Sequence, residues 1–203
     1  MQTSPELLRL IHNIVRIGTV SEIDPGAPPP DYKPPRVRVA TGDITTGWLH
    51  WRESRVGTTR TWNPPTPGEQ VLVIAPGGIL EGAIVMPGIY QKALPPPTPT
   101  HDLNVTMVEL PDGATLVYDH ERSHLEATLP GSATITAQGD IAVTTEAAMT
   151  LTAKGGLTID GDTKIQGKLS IAGGAVTHNG TDIGDTHRHK GVMSGSSISK
   201  GPV

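Results

Sequence analysis

The chain has 203 residues and only 35% apolar residues, against roughly 45–50% in most globular chains, which argues against a large α/β enzyme. Its net charge of −4 argues against a nucleic-acid partner, and the absence of Cys excludes disulfides, thiolate metal sites and cysteine nucleophiles. No apolar run reaches the roughly 18 residues of a membrane span, and no basic patch precedes an apolar region at the N-terminus, so we expect a soluble, unexported chain.

The first element is a short helix over residues 5–13. Ser4 can cap it, Pro5 suits its first turn, and an apolar stripe along it consists of Leu7, Leu8, Leu10 and Ile11. We interpret residues 1–13 as a docking helix.

Residues 14–92 predict a small β-barrel of the OB type. Short runs with strand character alternate with turns rich in Pro and Gly, and five strands within some 80 residues suit such a barrel. The predicted strands are residues 14–23, 36–40, 48–52, 70–75 and 82–86.

An alternative interpretation makes this barrel a platform for single-stranded nucleic acid, on which bases stack. Its Trp residues are equally good core residues, and the acidic net charge disfavours this interpretation. The residues concerned are Trp48, Trp51 and Trp62 with Arg36, Arg38, Arg52, Arg55 and Arg60.

Residues 93–102 form a Pro-rich linker, because the run Leu94-Pro95-Pro96-Pro97-Thr98-Pro99 favours stiff polyproline II structure. After it, the turn Leu110-Pro111-Asp112-Gly113-Ala114 separates predicted strands at residues 105–109 and 115–119.

Residues 103–176 contain a repeat with a period of eight, and no aromatic residue follows Tyr118. Nearly every apolar residue in the repeat is odd-numbered, while even positions carry Thr or Lys. The predicted strands therefore have one apolar face and one polar face. The apolar residues include Ala133, Ile135, Ile141, Val143, Met149, Leu151, Leu157, Ile159, Ile165, Leu169 and Ile171.

The apolar side chains of this face are too few and too small to stabilise a single folded chain. Burying one such side chain contributes about 1.5–3 kcal/mol, whereas ordering the backbone of each residue costs about 1–2 kcal/mol. Three identical chains wound round one axis would bury the odd positions, so we predict a trimeric, intertwined β-helix shaped as a triangular prism. A solenoid wound from one chain and a disordered tract are the alternatives.

Residues 177–203 are the predicted apex and tail. Beyond an irregular stretch over residues 178–185, His187 and His189 form an H-x-H pair whose imidazoles would share one face of a strand. In a trimer they supply six nitrogen donors, which suits an octahedral structural metal such as iron or nickel.

The other six histidines are assigned no role. We expect Asp182 and Asp185 to be turn residues, with calcium binding as the alternative.

The order of these features resembles the baseplate assembly protein V, or central tail spike, family of contractile-tailed phages and phage-derived bacteriocins. Each motif is short, but their order before a repeat of eight and a terminal H-x-H is specific. The motifs are Ile17-Gly18-Thr19-Val20, Arg36-Val37-Arg38-Val39, Thr46-Gly47-Trp48-Leu49, Pro67-Gly68-Glu69-Gln70-Val71, Val85-Met86-Pro87-Gly88, Leu110-Pro111-Asp112-Gly113, Val117-Tyr118-Asp119 and Thr186-His187-Arg188-His189-Lys190-Gly191-Val192.

The resemblance implies a homotrimer with an N-terminal OB-fold domain that contacts other baseplate and tail-tube proteins. It implies one iron ion per trimer held by His187 and His189 of each chain; some members also carry calcium and chloride. It implies a particle, virion or bacteriocin, made in the host cytoplasm, whose spike pierces the host outer membrane mechanically when the sheath contracts.

The sequence shows no catalytic motif, so we expect that the protein is not an enzyme. The alternative function is a glycan-binding or lytic, cell-wall-degrading spike.

Overall fold

The computed structural model describes residues 4–97, 102–184 and 195. The chain divides into two compact units, Met1–Thr136 and Ala137–Val203. The first unit contains a helix, a six-stranded sheet and a three-stranded sheet, and the second contains a two-stranded hairpin.

The predicted N-terminal helix is confirmed as α1, Ser4–Asn13. The backbone of Leu10 lies so close to Gly78, in the 3-10 turn Pro76–Gly78, that a Cβ on Gly78 would overlap it. Gly78 also has a φ of 73°, which favours glycine. The exposed apolar side chains of α1, Leu7, Leu8 and Ile11, are each about half accessible to solvent.

The predicted barrel is present and is closed. The strands are β1 Val15–Asp24, β2 Arg36–Thr41, β3 Ile44–Thr45, β4 His50–Trp51, β5 Gln70–Ile74 and β6 Ile84–Ile89. The sheet order is β3-β2-β1-β5-β6-β4, and it closes because Val37 in β2 and Leu49, just before β4, exchange backbone hydrogen bonds of 2.8 Å. The first half of β1 pairs with β5 and the second half with β2, and a bulge between Val20 and Glu22 interrupts the pairing with β2.

The core of the barrel consists mainly of valines that alternate along the strands with outward-facing residues. In β5, Val71 and Val73 are fully buried while Leu72 and Ile74 are only partly buried. The core residues are Val20, Val37, Val39, Leu49, Trp51, Val71, Val73, Ala75, Ala83 and Val85.

Three details of the barrel differ from the sequence prediction. The short strand β3 was not expected, and the strand predicted over residues 48–52 covers only His50–Trp51, which pairs in parallel with β6. The last strand begins at Ile84 because a 3-10 turn occupies Leu80–Gly82. Short strands of two residues carry too little alternation to be recognised in a sequence.

The second sheet is an antiparallel meander with the order β7-β8-β9. The two predicted strands are β7 Val105–Glu109 and β8 Thr115–Asp119, and the third, β9 His124–Thr128, was not predicted. The turn that joins β8 to β9 is held by Asp119, whose carboxylate accepts hydrogen bonds from the backbone and side chain of Arg122. Asp119 itself is only 5% exposed.

Residues 129–176 are all described, and no strand is found among them. The hairpin that follows consists of β10 Thr177–His178 and β11 Thr181–Asp182, joined by Asn179 and Gly180 with positive φ angles of 48° and 75°. The irregular stretch predicted from residue 178 is thus in part an ordered hairpin, because Asn-Gly suits its two-residue turn. Asp182 accepts a hydrogen bond from the backbone of Gly184, as a turn residue does.

Gly18 in β1 offers a test of the packing of the barrel. A Cβ at this position would overlap Val39 and lie 2.6 Å from the carbonyl oxygen of Ala40. We expect Gly18→Ala to destabilise the barrel by about 1–3 kcal/mol, as overpacking does. Gly47→Ala is the matched control, because nothing lies within 4 Å of a Cβ there. Thermal unfolding followed by circular dichroism measures both; equal melting temperatures would contradict the prediction.

Candidate functional site

An exposed apolar stripe is the most unusual feature of the described chain. It consists of ten odd-numbered side chains in residues 135–171 whose exposed fractions run from 56% at Met149 to 84% at Ile135. Soluble proteins seldom leave so many apolar side chains in water without a partner to cover them. The stripe residues are Ile135, Ile141, Val143, Met149, Leu151, Leu157, Ile159, Ile165, Leu169 and Ile171.

Backbone pairing is sparse in the described residues 129–176. The N–H of Gly156 donates to the carbonyl oxygen of Ala153 at 3.1 Å, and the carbonyl of Val176 accepts from the N–H of Ile183 at 2.8 Å. Two further bonds are local contacts with threonine hydroxyls, from Ala147 N–H to Thr145 and from Thr163 to the carbonyl of Gly161. A solenoid wound from one chain would pair its successive turns with each other, and the described segment has no such ladder. In the described segment, apolar side chains are thus exposed and few backbone groups are paired within the chain.

Even positions of the same segment carry polar groups. Thr134, Thr144, Thr150, Thr152 and Thr158 alternate with the stripe, so a strand here would have one apolar and one polar face. In the single chain, both sets are exposed, and only their chemistry distinguishes them.

The tryptophans of the barrel do not form a common stacking platform. Trp51 belongs to the buried core and lies 5.7 Å from the ring of Trp62. Trp48 is 39% exposed, and the guanidinium groups of Arg36 and Arg38 lie 5.8 and 5.9 Å from its ring centre.

The two arginines beside Trp48 are also paired with carboxylates. Arg36 lies 3.3 Å from Asp24, and Arg38 lies 2.8 Å from Glu22. These acidic partners offset the positive charge that a nucleic-acid backbone would require, which disfavours the stacking interpretation.

Glu53 fixes the loop that follows β4. Its carboxylate accepts hydrogen bonds from the indole N–H of Trp51 at 3.2 Å, the backbone N–H of Asn63 at 2.7 Å and the hydroxyl of Thr61 at 2.7 Å. A fourth comes from the backbone N–H of Ser54 at 3.3 Å. Burial raises the pKa of Glu53, but these hydrogen bonds outweigh it and hold the pKa below its ordinary value. Nothing in the sequence pattern points to this role.

The predicted metal ligands His187 and His189 lie outside the described residues. Among the residues that the structure describes, no group of three or more His, Asp or Glu side chains could hold a metal ion. No helix in the described ranges is long and apolar enough to cross a membrane.

Comparison with known proteins gives the family. Residues 16–90, which include most of the barrel, match the family model of the type VI secretion system and phage-baseplate injector OB domain. The chain is also 32% identical over 208 residues to the spike protein of Escherichia phage P2, with 94% of each chain covered. The chain belongs to the phage baseplate spike family. The resemblance inferred from the sequence motifs is confirmed, and so is the OB-type barrel.

Acidification tests the role of Glu53. A carboxylate with a lowered pKa stabilises the folded state above its unfolded pKa of about 4.3, and the contribution is lost as the pH falls through the folded value. We expect the fluorescence of Trp51 and Trp62 to change below about pH 4.3 in the wild type.

We expect Glu53→Gln to show, already at neutral pH, the tryptophan fluorescence that the wild type shows only in acid. Its fluorescence should then not change as the pH is lowered. Glu126→Gln, at an exposed position of β9, is the control and should behave as the wild type. A fluorescence titration gives the answer, and identical curves for Glu53→Gln and the wild type would contradict the role of Glu53.

Proposed function

We propose that the protein is the central spike of a contractile injection system and acts as a homotrimer in the tail baseplate of a virion or bacteriocin particle. The observation that carries this proposal is the exposed apolar stripe, which needs a partner that follows it over nearly forty residues. Two further copies of the chain offer the same stripe in the same register, so each copy covers the others. The spike protein of phage P2, similar over 94% of the chain, supports the role.

The parts of the chain then have separate tasks. The barrel folds round its own core and binds neighbouring baseplate and tail-tube proteins. The repeat forms the trimeric β-helix, with odd residues on the axis and Thr on the surface. When the sheath contracts, this narrow rod is driven through the host outer membrane by force, without a chemical reaction.

At the apex, His187 and His189 of three copies would hold one iron ion. The donor set fits, because six imidazole nitrogens satisfy an octahedral ion and leave no position open for substrate. An ion held in this way would fasten the chain ends where the mechanical load is greatest.

The trimer can be tested by comparing an odd-numbered stripe residue with its even-numbered neighbour. Leu157 and Thr158 are neighbours and both are exposed in the single chain. If odd positions lie on the axis, Leu157→Asp removes about 1.5–3 kcal/mol of apolar burial in each copy and places three carboxylates together. We expect Leu157→Asp to give monomers in analytical ultracentrifugation and the control Thr158→Asp to remain trimeric. Equal behaviour of the two variants would refute the inward placement of odd residues.

Native mass spectrometry tests the copy number and the metal together. We expect a species of three times the 21.3 kDa chain mass that carries one iron ion. In the double variant His187→Ala/His189→Ala, the trimer should persist without iron, because the apex only fastens the end of the rod. His12→Ala/His124→Ala is the matched control and should keep the metal. A metal-free monomer of the wild type would overturn the proposal, and cell-wall hydrolysis by the purified protein would favour the lytic alternative.

A further inference from the structure

The loop that follows β4 differs from the rest of the barrel in its charged groups. Its three arginines, Arg52, Arg55 and Arg60, are exposed, and their side chains have no ion-pair or hydrogen-bond partner among the described residues. The other five arginines that the structure describes each bond through the side chain to a carboxylate or another oxygen, namely Arg9, Arg16, Arg36, Arg38 and Arg122. Unpaired guanidinium groups are thus confined to residues 52–63, the arginine loop.

The arginine loop is ordered by hydrogen bonds of its own. The N–H of Thr61 donates to the carbonyl oxygen of Arg55 at 2.9 Å, and Val56 and Arg60 form an antiparallel bridge. The one carboxylate of the loop, that of Glu53, is engaged by the four hydrogen bonds that fix the loop. A partner would therefore meet a pre-formed hairpin, and binding would cost little ordering of its backbone.

Two exposed apolar side chains accompany the arginines. Val56, at 80%, is the most exposed large apolar side chain of the barrel, and Trp62 is 60% exposed. The ring of Trp62 lies 5.7 Å from that of the buried Trp51, so one side of it rests on the core while much of the rest is open. Trp and Arg are the side chains that most often carry the binding energy of protein interfaces, which makes the loop typical of a protein-binding surface.

We propose that the arginine loop binds an acidic segment of a neighbouring baseplate or tail-tube protein, with Arg55 and Arg60 on its carboxylates and Trp62 on an apolar side chain beside them. This inference rests on the proposed function and adds the loop that makes the contact and the chemistry of the partner.

The charge of the loop identifies the partner as acidic. In a chain of net charge −4, three arginines beside one engaged glutamate form a local positive patch. A guanidinium group pairs with a carboxylate through two parallel hydrogen bonds, which fixes orientation as well as charge. Opposite charges would also steer the encounter and set its register.

A nucleic-acid strand is a poorer fit to the same loop. Such a strand requires successive aromatic rings along a basic groove. Trp62 is the one tryptophan of the arginine loop, Trp51 is buried, and the arginines beside Trp48 are already paired with carboxylates.

The purified protein allows a first test with a synthetic probe, decaglutamate. Binding is followed by tryptophan fluorescence in dilute buffer and again with added salt, which should weaken it. We expect Arg55→Gln/Arg60→Gln to bind decaglutamate roughly three- to thirtyfold more weakly than the wild type, because two exposed ion pairs are lost. Arg60→Gln alone serves if the double variant does not fold.

The matched control is Lys33→Gln/Lys92→Gln, which makes the same change in net charge at two exposed positions of the barrel outside the loop. It should bind decaglutamate as the wild type does. Equal weakening by both double variants, or no binding by the wild type, would overturn the inference. Tighter binding of decathymidylate, lost in the arginine variant alone, would overturn it too and assign the loop to nucleic acid.

The second test uses assembled tail particles and the variant Arg55→Lys/Arg60→Lys. The variant keeps both charges and introduces amines, which a carbodiimide joins to carboxylates in direct contact. We expect mass spectrometry to find cross-links from positions 55 and 60 to Asp or Glu of a different particle protein, and none from Lys33 or Lys92 to that protein. The wild type, with arginine at both positions, should give no such cross-link.

The outcomes in the particle separate this inference from the proposed function. Particles that contain the chain but give no cross-link from position 55 or 60 would overturn the inference and leave the spike role intact. Cross-links to the same chain or to another copy of it would also overturn it. Absence of the chain from tail particles would overturn the proposed function, and the decaglutamate measurement would still report on the loop itself.

Discussion

The chain cannot bury the stripe between residues 135 and 171 by itself, and the organisation of the protein depends on this constraint. Ten apolar side chains are more than half exposed there, in a segment without strand pairing of its own. No disulfide can compensate, because the chain has no Cys, and no aromatic residue follows Tyr118 to supply a large buried area. In the proposed trimer, apolar burial would come from association, and folding of this part of the chain would be coupled to assembly.

The barrel, in contrast to the stripe, buries its apolar side chains within the chain itself. It is closed by the Val37–Leu49 hydrogen bonds, its core is buried, and the carboxylate of Glu53 holds the loop after β4. The barrel thus buries its apolar side chains within one chain, whereas the stripe residues are exposed in it.

The sequence predicted elements with strong alternation or clear turns, namely α1, most barrel strands, β7 and β8. It did not predict β3, which has only two residues, or β9, whose residues are all exposed and so show no alternation of buried and exposed positions. For the candidate site, the alternation of apolar and polar residues identifies the stripe in the sequence. In the single chain the odd and even positions are both exposed, so the inward placement of the odd residues stays a prediction.

A lipid surface is the other environment that could cover an apolar stripe, and the backbone distinguishes it from further copies of the chain. Strand-like segments whose N–H and C=O groups lack partners cost several kcal/mol for each unsatisfied group in hydrocarbon. Charged residues such as Lys154, Asp160 and Lys164 interrupt the same segment and would also have to leave water. Strands from further copies of the chain would pair with the backbone groups and bury the odd-numbered side chains. The even-numbered side chains would stay hydrated.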